Sequence, residues 1–206
     1  MFNKNNYIIV RKAVSLELSN FIMNYFLMQD DVLSQLVKNR LLALDDKMIG
    51  TWNDMDVPGA YSKYGDWTTE VLLMYLKNNI EKVVNKELVP TYSYTRVYKK
   101  GNKLFHHKDR PSCELSTTIF LGGYSWDFFL KNKKGKTIKV SLDQGDMLVY
   151  SGHLLEHWRE PLKDKFSVQT FLHYNYKNGP YAKEHIYDKR RMLGLPRLED
   201  LSNLRK

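Results

Sequence analysis

The residues best placed to do chemistry are His107 and Asp109, an H-x-D triplet in LFHHKDR, and His157, further on in GDMLVYSGHLLEHWREP. Two imidazoles and one carboxylate in that order form the set that binds Fe(II) on one triangular face and leaves the other positions open. Residues two apart on an extended chain point the same way, so His107 and Asp109 share a face and His106 takes the other. H-x-D alone is a weak signal, and each residue also reads as an ordinary polar group near a strand end. A distal histidine after a glycine turn strengthens it. His157 is the preferred third ligand, with His153 as the alternative. Zinc accepts the same donors, but the chain lacks an HExxH motif to supply a base beside a hydrolytic zinc.

A second group of residues could hold an anion. In KFSVQTFLHY, alternation puts Lys165, Ser167, Gln169, Phe171 and His173 on one face. Lys165 and Ser167 offer a cation and a hydroxyl, which together bind a carboxylate. Tyr94, Arg96 and Tyr98 share a face of one strand, and Ser116, Thr118 and Phe120 share a face of another. Arg159 is the competing cation; it stands two residues after His157, in what reads as a loop.

The elements that must position these groups fall into two halves. Tyr7–Arg11 reads as a strand. Ser15 caps a helix to about Asp30, and a second helical repeat covers Val32–Leu44. Residues 45–66 read as loops carrying Trp52, Tyr61 and Tyr64 as aromatic anchors. Asp66 caps another helix to about Glu87. After Pro90 the apolar period drops from 3.6 to 2. Strands are expected at Thr91–Tyr98, Glu114–Leu121, Trp126–Leu130, Thr137–Val140, Met147–Tyr150 and Phe166–Tyr174, with glycine turns between them. The pattern predicts an α+β fold, a jelly roll with helices packed on one sheet. It forms a single domain over 1–180, with N-terminal support 1–90, core 91–176 and a charged tail 181–206.

A chain of 206 residues with 43% apolar and 13% aromatic residues can bury one core. Its one cysteine, Cys113, excludes an intrachain disulfide framework and suits a reducing compartment. Neither a cleavable leader nor a membrane span is evident. A cytoplasmic location is expected, which for a phage-encoded chain is the host cytoplasm. The net charge of +9 is spread without a block of like charges, so the lysines read as a solvated surface.

The pattern Tyr98-x-x-Gly101, His107-x-Asp109, Gly145-Asp146, His157 and Lys165-x-Ser167 resembles the Fe(II)- and 2-oxoglutarate-dependent dioxygenases, in their small prolyl-4-hydroxylase-like branch. The resemblance spans about Tyr7 to Tyr176, and LVPTYSYTRVYKKGNKLFHHKDRPSCELS is similar to short members from bacteria and bacteriophages. It implies a double-stranded β-helix. His107, Asp109 and His157 would bind Fe(II). Lys165, aided by Ser167, Tyr98 and Thr118, would meet the distal carboxylate of 2-oxoglutarate. Dioxygen would be the oxidant, with ascorbate as reductant. A carboxylate at Asp109 implies hydroxylation, since halogenating relatives carry a small residue there. The substrate it implies is a peptidyl proline, with a free amino acid or small metabolite as the alternative, met by Arg96, Arg110 and Arg159 at the barrel mouth. Lys165 follows the distal histidine sooner than in prolyl hydroxylases, and His153 is an extra histidine. Nucleic acid is disfavoured, because the last strand lacks the paired arginines of base-repair relatives. The competing class is a jelly-roll binding module without catalysis.

Overall fold

The computed structural model describes residues 2–43 and 48–197. A single-turn helix α1 (Phe2–Asn5) and strand β1 (Tyr7–Val10) lead into α2 (Leu16–Lys38). The Ser15 side chain caps α2 by accepting from the Leu18 N–H at 3.3 Å. The break expected near Asp30 is absent, and α2 runs through it. Asp30 is buried and accepts from Trp52 Nε1 at 2.7 Å and pairs with Lys99 Nζ at 2.8 Å. Its polarity therefore marks a tertiary anchor rather than a helix end. Leu44, where the second helical repeat was expected to stop, lies outside the described residues.

Within the expected 45–66 loop, β2 (Tyr61–Tyr64) forms an edge strand. Four residues are too short for period 2 to stand out. Asp66 then caps α3 (Trp67–Val84), accepting from Thr68 N–H at 3.0 Å, and left-handed Asn85 ends it. Leu72, Leu73, Leu76, Ile80 and Val84 form its buried stripe. Each such side chain contributes about 1.5–3 kcal/mol when fully buried.

Eight strands follow: β3 (Leu88–Lys99), β4 (Leu104–His107), β5 (Leu115–Gly123), β6 (Phe128–Lys131), β7 (Thr137–Val140), β8 (Met147–Tyr150), β9 (His157–Arg159) and β10 (Phe166–Tyr176). Strand β3 begins before Pro90, which faces a register shift between His173 and Tyr174. A proline is tolerated at such an irregularity. The strands form a six-stranded sheet, β1-β8-β5-β10-β3-β2, and a four-stranded sheet, β4-β9-β6-β7. This α+β double-stranded β-helix matches the fold expected from the sequence.

The large sheet is buried on both faces. Ile119, Leu121, Val149, Val168 and Leu172 pack with Ile22 and Phe26 of α2 and the α3 stripe. On the opposite face Phe120, Leu148 and Tyr150 pack with Phe128, Leu130 and Val140 of the small sheet. Alternation thus sends Ser116, Thr118, Ser167 and Gln169 into the space between the sheets. After β10, a short helix α4 (Ala182–His185) and a 3₁₀ turn (Ile186–Lys189) follow. Residues 181–197 of the expected tail pack back on the domain, and 198–206 lie outside the described residues. Among the described residues no helix is long and apolar enough to cross a membrane.

Candidate metal centre

Two of the shortest strands deliver the two imidazoles. In the antiparallel pair β4–β9, His107 stands opposite His157, next to a register irregularity that begins after Leu104. Opposite residues on one face of such a pair lie within side-chain reach, and the two rings have centroids 4.2 Å apart. Asp109 follows β4, and its Oδ1 lies 3.6 Å from His107 Nε2 and 3.5 Å from His157 Nε2. One donor atom from each of the three falls within 4.8 Å of the others.

Both rings are aimed by their outer nitrogens. His107 Nδ1 is 2.8 Å from Phe105 O, and His157 Nδ1 is 2.8 Å from Leu155 O. A carbonyl accepts only, so each Nδ1 donates to its carbonyl and each Nε2 is turned toward Asp109. That is how a metal-binding histidine is oriented. Ser116 Oγ donates to Asp109 Oδ2 at 2.6 Å. Its single proton is thereby committed, so His173 Nδ1, at 3.0 Å, must donate to the Ser116 oxygen. Asp109 N–H donates to Gly152 O at 3.0 Å. A side chain at Gly152 would collide with Asp109 Oδ2 and Ser116 Oγ, so the carboxylate needs glycine there.

Burial alone would raise the Asp109 carboxyl, but His157 and His107 override it and hold it well below the usual carboxylate range. Burial lowers His107, and the Asp109 carboxylate and Phe105 carbonyl outweigh it, leaving the imidazole raised. A divalent cation held here would be met by the Asp109 carboxylate and both Nε2 atoms together. The borderline N and O donors and the open cavity side suit Fe(II). A second grouping, Asp109, Cys113 and His173, also lies within ligating distance. Burial pushes the Cys113 thiol up to about 12, its sulfur sits 3.1 Å from Tyr92 Oη, and a soft sulfur donor suits Fe(II) less than imidazole and carboxylate do.

The structure separates the competing histidines. His106 stacks on Trp158 with centroids 4.0 Å apart, facing away from the triad. His153 is bonded through Nδ1 to Glu114 O at 2.9 Å and belongs to neither grouping.

The anion-binding candidates divide differently from the sequence expectation. Lys165 is exposed, just before β10 begins, and so does not enter the barrel. The cation inside is Arg159 on β9, on the same face as His157 and 2% exposed. Its Nη2 donates to Thr118 Oγ1 at 3.3 Å and Gln169 Oε1 at 3.2 Å, and Nη1 donates to Trp126 O. The Gln169 amide in turn donates to Ser167 Oγ at 3.1 Å. Burial pushes the Arg159 guanidinium down to about 10, with Tyr98 and Tyr150 opposing, so it stays charged at neutral pH. Among the described residues it has no carboxylate partner, and its Nε and the nearby Tyr98 hydroxyl are buried without hydrogen bonds. Arg159, the competing cation in the sequence, reads there as a loop residue because its strand of three residues leaves no periodic signal. Tyr98, Thr118 and Ser167 fall in the same interior cluster.

Arg159 is therefore not at the cavity mouth. Nor is Arg96 free to meet a ligand, since its Nη2 donates to Asp54 Oδ2 at 2.7 Å and to Asp56 Oδ2 at 3.2 Å. Arg110 does face the cavity, bonded to Asp188 Oδ2 at 2.6 Å. That cavity, of about 900 Å³, is lined by His107, Asp109, His157, Tyr92, Tyr94 and Arg110, among others.

No protein-family model and no curated protein matches the chain. Solved structures do. AviO1 from Streptomyces viridochromogenes Tue57 aligns at 15% identity over 88% of this chain and 94% of that one, TM-score 0.64. HygX from Streptomyces hygroscopicus with nickel and 2-oxoglutarate bound aligns at 12% over 96% and 90%, TM-score 0.60. A Pseudomonas putida prolyl-4-hydroxylase aligns at 10% over 84% and 94%, TM-score 0.60. At such identities the likeness is one of fold, the fold of 2-oxoglutarate and Fe(II) oxygenases.

Proposed function

We propose that this chain is an Fe(II)- and 2-oxoglutarate-dependent dioxygenase that hydroxylates a substrate C–H bond. The observation that carries the reading is the β4–β9 register, which sets His107 opposite His157 with Asp109 between their Nε2 atoms. These three residues hold the metal, and Ser116 and Gly152 fix the carboxylate that completes the set. Arg159 and Tyr98 take the distal carboxylate of 2-oxoglutarate, since both present buried polar atoms without partners. Thr118 and Gln169 hold the guanidinium in place meanwhile. When bound, iron and 2-oxoglutarate supply the oxidising power, the oxo acid leaving as succinate and CO2 while one atom of dioxygen enters the substrate. Phe128, Leu148 and Tyr150 wall the interior and exclude water from it.

For the substrate, the reading is a peptidyl proline, in line with the prolyl hydroxylases that share the fold. A small molecule is the second reading, favoured by a cavity flanked both by residues 50–56 and by residues 194–197. HygX, whose structure with hygromycin B aligns at 14% identity, gives that reading a precedent in the fold. The test is succinate release from 2-oxoglutarate with Fe(II) and ascorbate, followed by mass spectrometry for a one-oxygen gain across a peptide and metabolite panel. Release by wild type and none by His107→Ala is expected. Neither turnover nor metal uptake by wild type would leave a binding module instead.

A further inference from the structure

Asp188 is delivered to the cavity by an unusual piece of backbone. Tyr187, Asp188 and Lys189 are three consecutive residues with φ of 50°, 55° and 64°. Non-glycine residues adopt this left-handed region at a cost, and a run of three persists only when its surroundings enforce it. Arg190 supplies the enforcement, donating to Glu70 Oε1 at 2.6 Å and to Thr91 O at 3.0 Å. Trp67 Nε1 holds Gly194 O at 2.9 Å further along.

The segment so fixed carries one buried acid and one cation toward the cavity. Asp188 Oδ2 accepts from Tyr64 Oη at 2.7 Å and from Arg110 Nη2 at 2.6 Å, and lies 3.5 Å from Arg197 Nε. Arg110 and Arg197 lie over the faces of Tyr92 and Tyr64, at 4.8 Å and 4.6 Å, and those two rings stack at 5.0 Å. Two guanidiniums therefore share one carboxylate. Their side chains remain 43% and 36% exposed, and both line the cavity that holds His107 and Asp109. Arg197 Nε has no hydrogen bond among the described residues. Each guanidinium has five N–H donors in a fork that fits a carboxylate or phosphate. Among the described residues most are unspent. The net positive wall also lies close to the metal carboxylate: Tyr92 packs on His173 at 4.5 Å, and His173 reaches Asp109 through Ser116.

We infer that Arg110 and Arg197, braced by Asp188, form a subsite for an oxyanion, a carboxylate or phosphate group, carried by the substrate. Assigning the occupant to the substrate rests on the dioxygenase reading above, whereas the oxyanion site itself does not. Asp188 is a positioning residue: it fixes the two forks and leaves them short of negative charge.

Calorimetric titration with inorganic phosphate and with acetate, at constant ionic strength in chloride, tests the site. It is run on protein without added metal and again with Mn(II) and 2-oxoglutarate bound. Saturable binding is expected to both forms, at a single site once 2-oxoglutarate fills the Arg159 site, the tighter of the two probes identifying the group recognised. Arg197→Gln and Arg110→Gln should each weaken it about tenfold, the scale of one charge-assisted hydrogen bond. Arg197→Lys should recover part of the loss, and melting curves will show whether each variant is folded. Arg159→Gln should leave phosphate binding at this site unchanged. The inference is overturned if wild type shows no saturable binding, if folded Arg197→Gln binds as wild type does, or if the site disappears with Arg159→Gln or when 2-oxoglutarate is bound. Because the metal-free titration needs no turnover, its failure is distinguishable from failure of the dioxygenase reading.

Discussion

Arg159 and Arg190 are both buried arginines, 2% and 4% exposed, yet the protein treats them in opposite ways. Arg190 has a buried acid of its own, Glu70, at 2.6 Å, and ties the C-terminal segment to α3 and β3. Among the described residues Arg159 has only neutral acceptors, Thr118, Gln169 and the Trp126 carbonyl, with a hydrogen-bond donor left over. A buried charge left without an opposite charge is costly unless something else compensates it. The compensated arginine is part of the scaffold. The uncompensated one stands two residues from His157, where the proposed function gives it an anion from solution.

If the comparison holds, the largest stability effect belongs to the scaffold pair. Glu70→Ala leaves Arg190 buried without its partner and should cost about 3–5 kcal/mol in urea unfolding. A cost under about 1 kcal/mol would mean that Arg190 needs no acid, and the contrast with Arg159 would dissolve. Arg159→Gln should do the reverse. It should raise the Kd for 2-oxoglutarate about tenfold or more, the scale of a hydrogen bond to a charged group. Mn(II) affinity should stay within about twofold and the protein should be no less stable, since removing an unpaired buried charge relieves a desolvation penalty.

Acid sharpens the contrast. Burial would raise the Asp188 carboxyl, but Arg110 and Tyr64 hold it below its usual value. Its folded pKa is depressed, so its contribution is fully present above the unfolded carboxyl value near ~4 and is lost as pH falls through the folded one. Stability measured from pH 6 downward should therefore fall less steeply in Asp188→Asn than in wild type, and an unchanged slope would remove Asp188 from the account. The smallest effect is expected at Lys165. It is exposed, so Lys165→Ala should alter 2-oxoglutarate affinity by less than about twofold. A large loss there would restore the cosubstrate assignment that the sequence alone favours.

How far the sequence could be read depended on the length of the element carrying each signal. Ser15 and Asp66 marked their helices because a cap and an apolar stripe lie within one local window. The faces of β5 and β10 were legible because nine and eleven residues show period 2 well. The helix break predicted at Asp30 failed because a buried acid, satisfied by Trp52 and Lys99 from elsewhere, looks like a helix stop in one dimension. Strand β9 has three residues, and Arg159 was read as a loop residue for that reason. Gly152, pressed against Asp109 across the fold, gave no local sign of its role, and neither did Asp188, held by residues from β2 and from the turn after β4.

The central claim is that His107, Asp109 and His157 hold one Fe(II) beside an anion site built on Arg159. Anaerobic titration of the protein with Fe(II) and then 2-oxoglutarate tests it directly, through the weak visible charge-transfer band of the ternary complex. The account predicts a band that saturates at one 2-oxoglutarate per iron in wild type, needs about tenfold more cosubstrate in Arg159→Gln, and is absent in His157→Ala. A band that survives His157→Ala, or wild-type protein that binds Fe(II) yet gives no band with 2-oxoglutarate, would contradict it.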